Sequence, residues 1–104
     1  MIVEERIYTL QPGKVPDYLR LYEDEGLAIQ TRILPRMIGY FFTEFGPLNQ
    51  VVHMWGYESL AERTERRAEL NADADWQAYV QKMRPWLVTM ENKLLLPAPF
   101  SPIY

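Results

Sequence analysis

The succession of hydrophobic periods along this chain predicts an α+β fold of the ferredoxin-like kind, β-α-β-β-α-β, with an antiparallel sheet in spatial order 4-1-3-2. Three observations carry that expectation. Segments of period two alternate with two segments of helical period; turn-forming residues stand where the period changes; and 104 residues suffice for one domain, residues 1–104, but not for two.

Ile2–Leu10 is strand one, rich in β-branched and aromatic residues and stopped by Gln11, Pro12 and Gly13. A helix comes next, with Val15, Tyr18, Leu19, Tyr22, Gly26, Ile29 and Ile33 as its apolar stripe and Arg20, Glu23, Asp24 and Gln30 outside it. Pro16 suits its first turn and Pro35 ends it. Residues 37–45 and 50–57 read as strands two and three of an antiparallel hairpin, joined through Gly46, Pro47, Leu48 and Asn49. Ser59 with Glu62 is a capping-box signature. The helical region it opens is interrupted at residues 71–75, so two pieces, or one with a break, precede Pro85. Residues 88–96 form strand four, and Pro97, Pro99 and Pro102 leave 97–104 as an extended tail. The crossover rule is read as placing strand one beside strand three and parallel to it, with strand four on the other flank. Both helical regions then cover one face of the sheet.

Composition excludes several functions. Eleven Lys and Arg against 14 Asp and Glu give a net charge of −3, which offers no cationic field for nucleic acid. The absence of cysteine excludes disulfides, thiolate metal sites and a cysteine nucleophile, and one histidine cannot build a multi-histidine metal centre, so neither metal nor cofactor is expected. No apolar run approaches the roughly 20 residues of a membrane span, and the charged start is unlike a signal peptide; a cytoplasmic protein without an integral membrane segment is the expectation. A domain this small buries only about two-thirds of the surface its unfolded chain exposes, which makes oligomerisation the available reinforcement.

Alternation along the strands sorts side chains into two sets. The aliphatic set, Val3, Ile7, Val52, Met54, Val88, Met90, Leu94 and Leu96, is expected beneath the helices. The opposite face then carries Glu4, Arg6, Tyr8, His53, Trp55, Tyr57, Glu91 and Lys93, joined by Tyr40 and Phe42 of strand two. Aromatics mixed with charges of both signs suit neither a wet surface nor a plain core, so this face is expected to be enclosed by a second copy packed sheet to sheet.

The stretch from Glu4 to Lys14, with its E-x-R-x-Y-x-L-x-P-G-K pattern, and the N-x-V-x-H-x-W-x-Y pattern from Asn49 to Tyr57 resemble the NIPSNAP family. The resemblance runs over nearly the whole chain. It implies the dimeric α+β barrel architecture, in which two ferredoxin-like subunits pack their sheets together, and it implies no general chemistry.

The candidate ligand pocket is therefore Glu4, Arg6, Tyr8, Tyr40, Phe42, His53, Trp55 and Glu91 on the inner sheet face, with no catalytic residue assigned. His53 has three open roles: a structural hydrogen-bonding group, which its isolation favours; a general base or ligand polariser; or a metal or haem ligand. Arg6, Glu4 and Glu91 can form a self-satisfied array, Arg6 can read a carboxylate ligand, or a carboxylate of the cluster can be catalytic. Trp76 and Tyr79 fit a core stripe, and Arg63, Arg66 and Arg67, interleaved with Glu62, Glu65 and Glu69, fit a solvated helix face. The functional expectation is a small-molecule-binding homodimer, with a cofactor-independent enzyme as its catalytic version. The alternative is a non-catalytic interaction module whose inner face only dimerises.

Overall fold

The computed structural model describes residues 1–104. Its elements are β1 (Ile2–Leu10), α1 (Val15–Leu21), a π turn (Tyr22–Gly26), α2 (Leu27–Ile33), β2 (Met37–Phe42), β3 (Gln50–Tyr57), α3 (Leu60–Ala72), α4 (Ala74–Met83), a 3₁₀ turn (Arg84–Trp86) and β4 (Leu87–Leu95). The sheet order is β2-β3-β1-β4, which is the expected 4-1-3-2 read from the other edge. Every pairing is antiparallel, including β1 with β3, so the parallel reading of that pair is corrected. The helical crossover from β1 sets the direction of β2, and the hairpin then reverses the chain so that β3 enters between them running opposite to β1.

β2 stops at Phe42 rather than at residue 45, and residues 43–49 form the connection, with Gly46 and Asn49 both at positive φ. α3 begins where Ser59 Oγ accepts from the Glu62 amide, while Glu62 reaches back to the Glu58 amide. The break at residues 71–75 narrows to one residue. Asp73 ends α3 in extended geometry and caps α4 by accepting from the Trp76 amide at 2.8 Å, while its other oxygen takes Arg32 at 2.9 Å.

The first helical region departs from an unbroken helix at the π turn. A π turn inserts extra chain into one turn and rotates the next helical segment about its axis. Gln30, expected outside, is thereby turned inward to 2% exposure and accepts from the Tyr22 hydroxyl at 2.6 Å, while Ile29 is only half-buried. Gly26 sits at this turn because a Cβ there would lie 2.9 Å from the Tyr22 ring and 3.2 Å from the Tyr79 ring of α4.

The structure also inverts the expected faces of β1 and β3. Glu4, Arg6, Tyr8 and Leu10, with Val51, His53, Trp55 and Tyr57, are buried beneath the helices against Tyr18, Tyr22, Leu70, Trp76 and Tyr79. Val3, Ile7, Val52 and Met54 lie on the open face. Met90 and Leu94 do lie on the helix side as expected, since their partners across the β1–β4 ladder are Tyr8 and Glu4; Leu96 instead lines a groove on the open side. The large aromatics fill the wide space between sheet and helices, and one helical arginine, Arg63, supplies a partner for the buried carboxylate.

Gly26→Ala is expected to lower stability by about 1 kcal/mol or more, because crowding of the two tyrosine rings outweighs the gain in helix propensity. Gly26→Val should be worse. Denaturant unfolding followed by tryptophan fluorescence reads both.

Candidate functional site

The buried polar cluster starts from strand alternation. Glu4, Arg6 and Tyr8 are two residues apart on the central strand and so share one face, here the helix-covered one. Glu4, its side chain 3% exposed, accepts from Arg6 Nη1 at 3.1 Å, from Arg63 Nη2 at 2.8 Å and Nε at 3.3 Å, and from Asn92 Nδ2 at 2.8 Å. These donors come from β1, α3 and β4. Burial alone would raise the Glu4 carboxyl, but the Arg63 and Asn92 hydrogen bonds, with the charges of Arg6 and Arg63, hold it at about 2. Arg6 continues the chain of contacts by donating from Nε to the Tyr8 hydroxyl at 2.9 Å.

His53 lies across the ladder from Arg6. Its ring stacks on Tyr40 at 4.5 Å between centroids and meets Tyr8 edge-on at 4.8 Å. Nδ1 accepts from Trp55 Nε1 at 2.7 Å, which assigns the neutral ring's proton to Nε2, an atom with no partner in the protein. Burial, then the Arg6 and Arg67 charges, lower its pKa to about 3. At 1% exposure it is sealed from solvent, and with that pKa the ring is neutral and only a weak base near neutrality. The Tyr40 hydroxyl is closed off in turn, 2.7 Å from that of Tyr18.

Of the expected pocket residues, the structure brings together Glu4, Arg6, Tyr8, Tyr40, His53 and Trp55, on the helix-covered face rather than on an open inner face. Phe42 shares that face but sits at its margin, 57% exposed. Glu91 is opposite Ile7 and belongs to the open face, so it does not join Glu4 and Arg6. Sequence reasoning misses two participants. Asn92 is opposite Arg6 in the ladder. Arg63 is expected in solvent, although Leu60, Arg63, Arg67 and Leu70 recur at helical spacing and Leu70 is fully buried.

Acid should weaken the fold in two separable stages. Below about pH 6.5 the unfolded chain protonates its histidine while folded His53 does not until near pH 3, so stability falls as pH falls, by up to about 1.4 kcal/mol per pH unit. Glu4 adds stability that is present above about pH 4.5 and is lost as pH falls toward 2. Urea unfolding across pH should show that His53→Gln abolishes the upper stage. Glu4→Gln should remove the lower one and cost on the order of 3–5 kcal/mol at neutrality, because Arg6 loses its buried counter-charge.

Comparison with known proteins agrees with this architecture. The NIPSNAP family pattern matches residues 3–102. The chain is 34% identical over 94 residues to Protein NipSnap homolog of Dictyostelium discoideum, covering 90% of this chain and 41% of that protein. It is 38% identical to human Protein NipSnap homolog 3B, covering 98% and 41% respectively. The chain thus spans less than half the length of these relatives. Among solved structures, a NIPSNAP family protein from Agrobacterium tumefaciens is 51% identical, covers 99% of this chain and 98% of that one, and superposes with a TM-score of 0.96. A NIPSNAP-like domain protein from Burkholderia xenovorans is 57% identical over 97% of this chain and 88% of that one, with a TM-score of 0.95. An antibiotic biosynthesis monooxygenase, 18% identical and covering 95% and 100%, has a TM-score of 0.67 and shares the fold alone. With both the fold and the patterned strands in agreement, the chain belongs to the NIPSNAP family.

Proposed function

We propose that the protein is a homodimer joined through its open sheet faces, and that it binds a small apolar organic molecule in a groove on that face. The observation that carries this reading is an apolar groove of about 440 Å³ on the side the helices leave bare, bounded by Val3, Ile38, Met54 and Leu95 of the sheet and by Phe100 and Ile103 of the tail. Its volume is within the range of small-molecule sites. Beside it runs an apolar row of Phe41, Val52 and Ile7 across three strands.

Sheet-to-sheet packing about a two-fold axis would cover this row and close the groove. The inner-face site expected from the sequence is retained in location, but its residues are these aliphatic ones. Nothing titratable lines the groove, which supports binding without acid–base catalysis. A cysteine-free chain needing no disulfide suits the cytoplasm. One observation favours the second reading, in which the face only dimerises: the tail's own Phe100 and Ile103 already occupy one wall of the groove.

Sedimentation equilibrium should give twice 12.3 kDa for the chain and the monomer mass for Val52→Glu, with the far-UV spectrum unchanged. Nile red fluorescence should rise on binding and be suppressed by Met54→Trp, which fills the groove. A dimer that leaves the dye dark would favour the interaction module, and a monomer would overturn the proposal.

A further inference from the structure

The three arginines of α3 that look alike in sequence have different fates. Arg63 is taken by Glu4 and Arg66 by Glu62, whereas Arg67, half-buried, forms no ion pair. Eight of the eleven lysines and arginines are ion-paired; the exceptions are Arg67, Arg84 and Lys93. Lys93 is opposite Glu5 on the open face. Arg67 and Arg84 line the same cavity, about 160 Å³ between the β1–β4 side of the sheet and helices α3 and α4.

Arg6 is a third guanidinium in that wall. Its Nε and Nη1 are engaged by Tyr8 and Glu4, leaving Nη2 without a protein partner. Asn71 adds an amide, and no carboxylate belongs to the lining. The remainder is apolar and aromatic, including Tyr8, Trp76, Met83 and Met90. Burial and then the nearby Arg6 charge depress the Arg67 pKa, yet a guanidinium stays protonated in proteins, so the charge persists without a counter-ion. A cavity of roughly 150 Å³ holds a benzene ring, and a guanidinium fork matches a carboxylate in two-point geometry.

We propose that this cavity binds a small organic carboxylate, one ring or an equivalent short chain in size, with its charged end on Arg67 and Arg6 and its apolar end on Trp76 and Met83. The site is contained in one protomer and is distinct from the open-face groove. Arg84, at the exposed mouth, adds attraction without sealing the cavity.

The test is calorimetric titration of the full chain with benzoate, benzyl alcohol and inorganic phosphate. Benzoate should bind saturably and raise the melting temperature; benzyl alcohol, which lacks the charge, should bind at least tenfold more weakly, and phosphate should not compete. Arg67→Gln should weaken benzoate at least tenfold with an unchanged or higher melting temperature, since no protein partner is lost. Arg84→Gln, on the surface, should weaken it several-fold. Lys93→Gln and Val52→Glu should leave it unchanged, which separates this site from the dimer face. No saturable benzoate binding, equal binding of benzyl alcohol, displacement by phosphate, or full affinity in Arg67→Gln would each overturn the proposal. A lower melting temperature in Arg67→Gln without loss of affinity would show a structural arginine instead.

Discussion

A carboxylate sealed between a sheet and its helices must be fully paired, because its desolvation costs several kcal/mol and nothing apolar can repay it. Glu4 imposes that condition on the molecule. Its oxygens are met by Arg6 on the same strand, Arg63 on α3 and Asn92 on β4, so one side chain ties the central strand to an edge strand and to the helical layer. Satisfying it demands the observed β1–β4 register, since a slip of one residue would turn Asn92 to the other face. It also fixes how α3 is rotated over the sheet. The polar contacts therefore contribute alignment that aliphatic packing alone would leave loose.

The aromatic layer obeys a related constraint. Tyr8, Tyr18, Tyr22, Tyr40 and Tyr79 fill the space between helices and sheet, and each phenol brings an oxygen needing a partner or a place at the margin. Tyr18 and Tyr40 share one hydrogen bond, Tyr22 uses Gln30, and Tyr8 uses Arg6, while the buried Tyr79 hydroxyl is the exception and has no partner. Gln30 can reach Tyr22 only because the π turn rotates α2, and that turn fits only because Gly26 leaves room for two rings. His53, held among these rings with its pKa lowered to about 3 by burial, packs within this layer.

Element order, sheet order, the α3 cap and an interruption within residues 71–75 are all legible in the sequence, because each has a local signature. The choice of buried face is not. Strand alternation separates Val3, Glu5, Ile7 and Thr9 from Glu4, Arg6, Tyr8 and Leu10 but says nothing about which set goes inside; that depends on what the helices offer. The expected faces of β1 and β4 also conflict with each other, because the ladder between these two strands puts Met90 and Leu94, expected to be covered, on the same side as Tyr8 and Glu4, expected to be open. Helical period misplaces Gln30 because it assumes an unbroken helix. Charge pattern misplaces Arg67 because interleaved glutamates suggest pairing, whereas Glu65 and Glu69 lie away from the buried stripe that carries Arg67 and Leu70.

The inverted faces change the chemistry open to this fold. Had the aromatic and charged set faced outward, a two-fold partner would have been needed to complete a polar interior. Instead the single chain satisfies its own carboxylate, and three guanidiniums, of Arg6, Arg63 and Arg67, stand around that one negative charge. The surplus is local, since the whole chain carries a net charge of −3. A field of one sign within low-dielectric walls is felt more strongly there than the opposite charge spread over wet surface. The open face has the contrary character, with Val3, Ile7, Val52 and Met54 across the central strands around Glu5, and Glu91 and Lys93 on β4. Apolar contact and anion pairing are thus assigned to opposite sides of one sheet, with β1 contributing Val3 and Ile7 to the first and Arg6 to the second, and a change on either face can be made without dismantling the other.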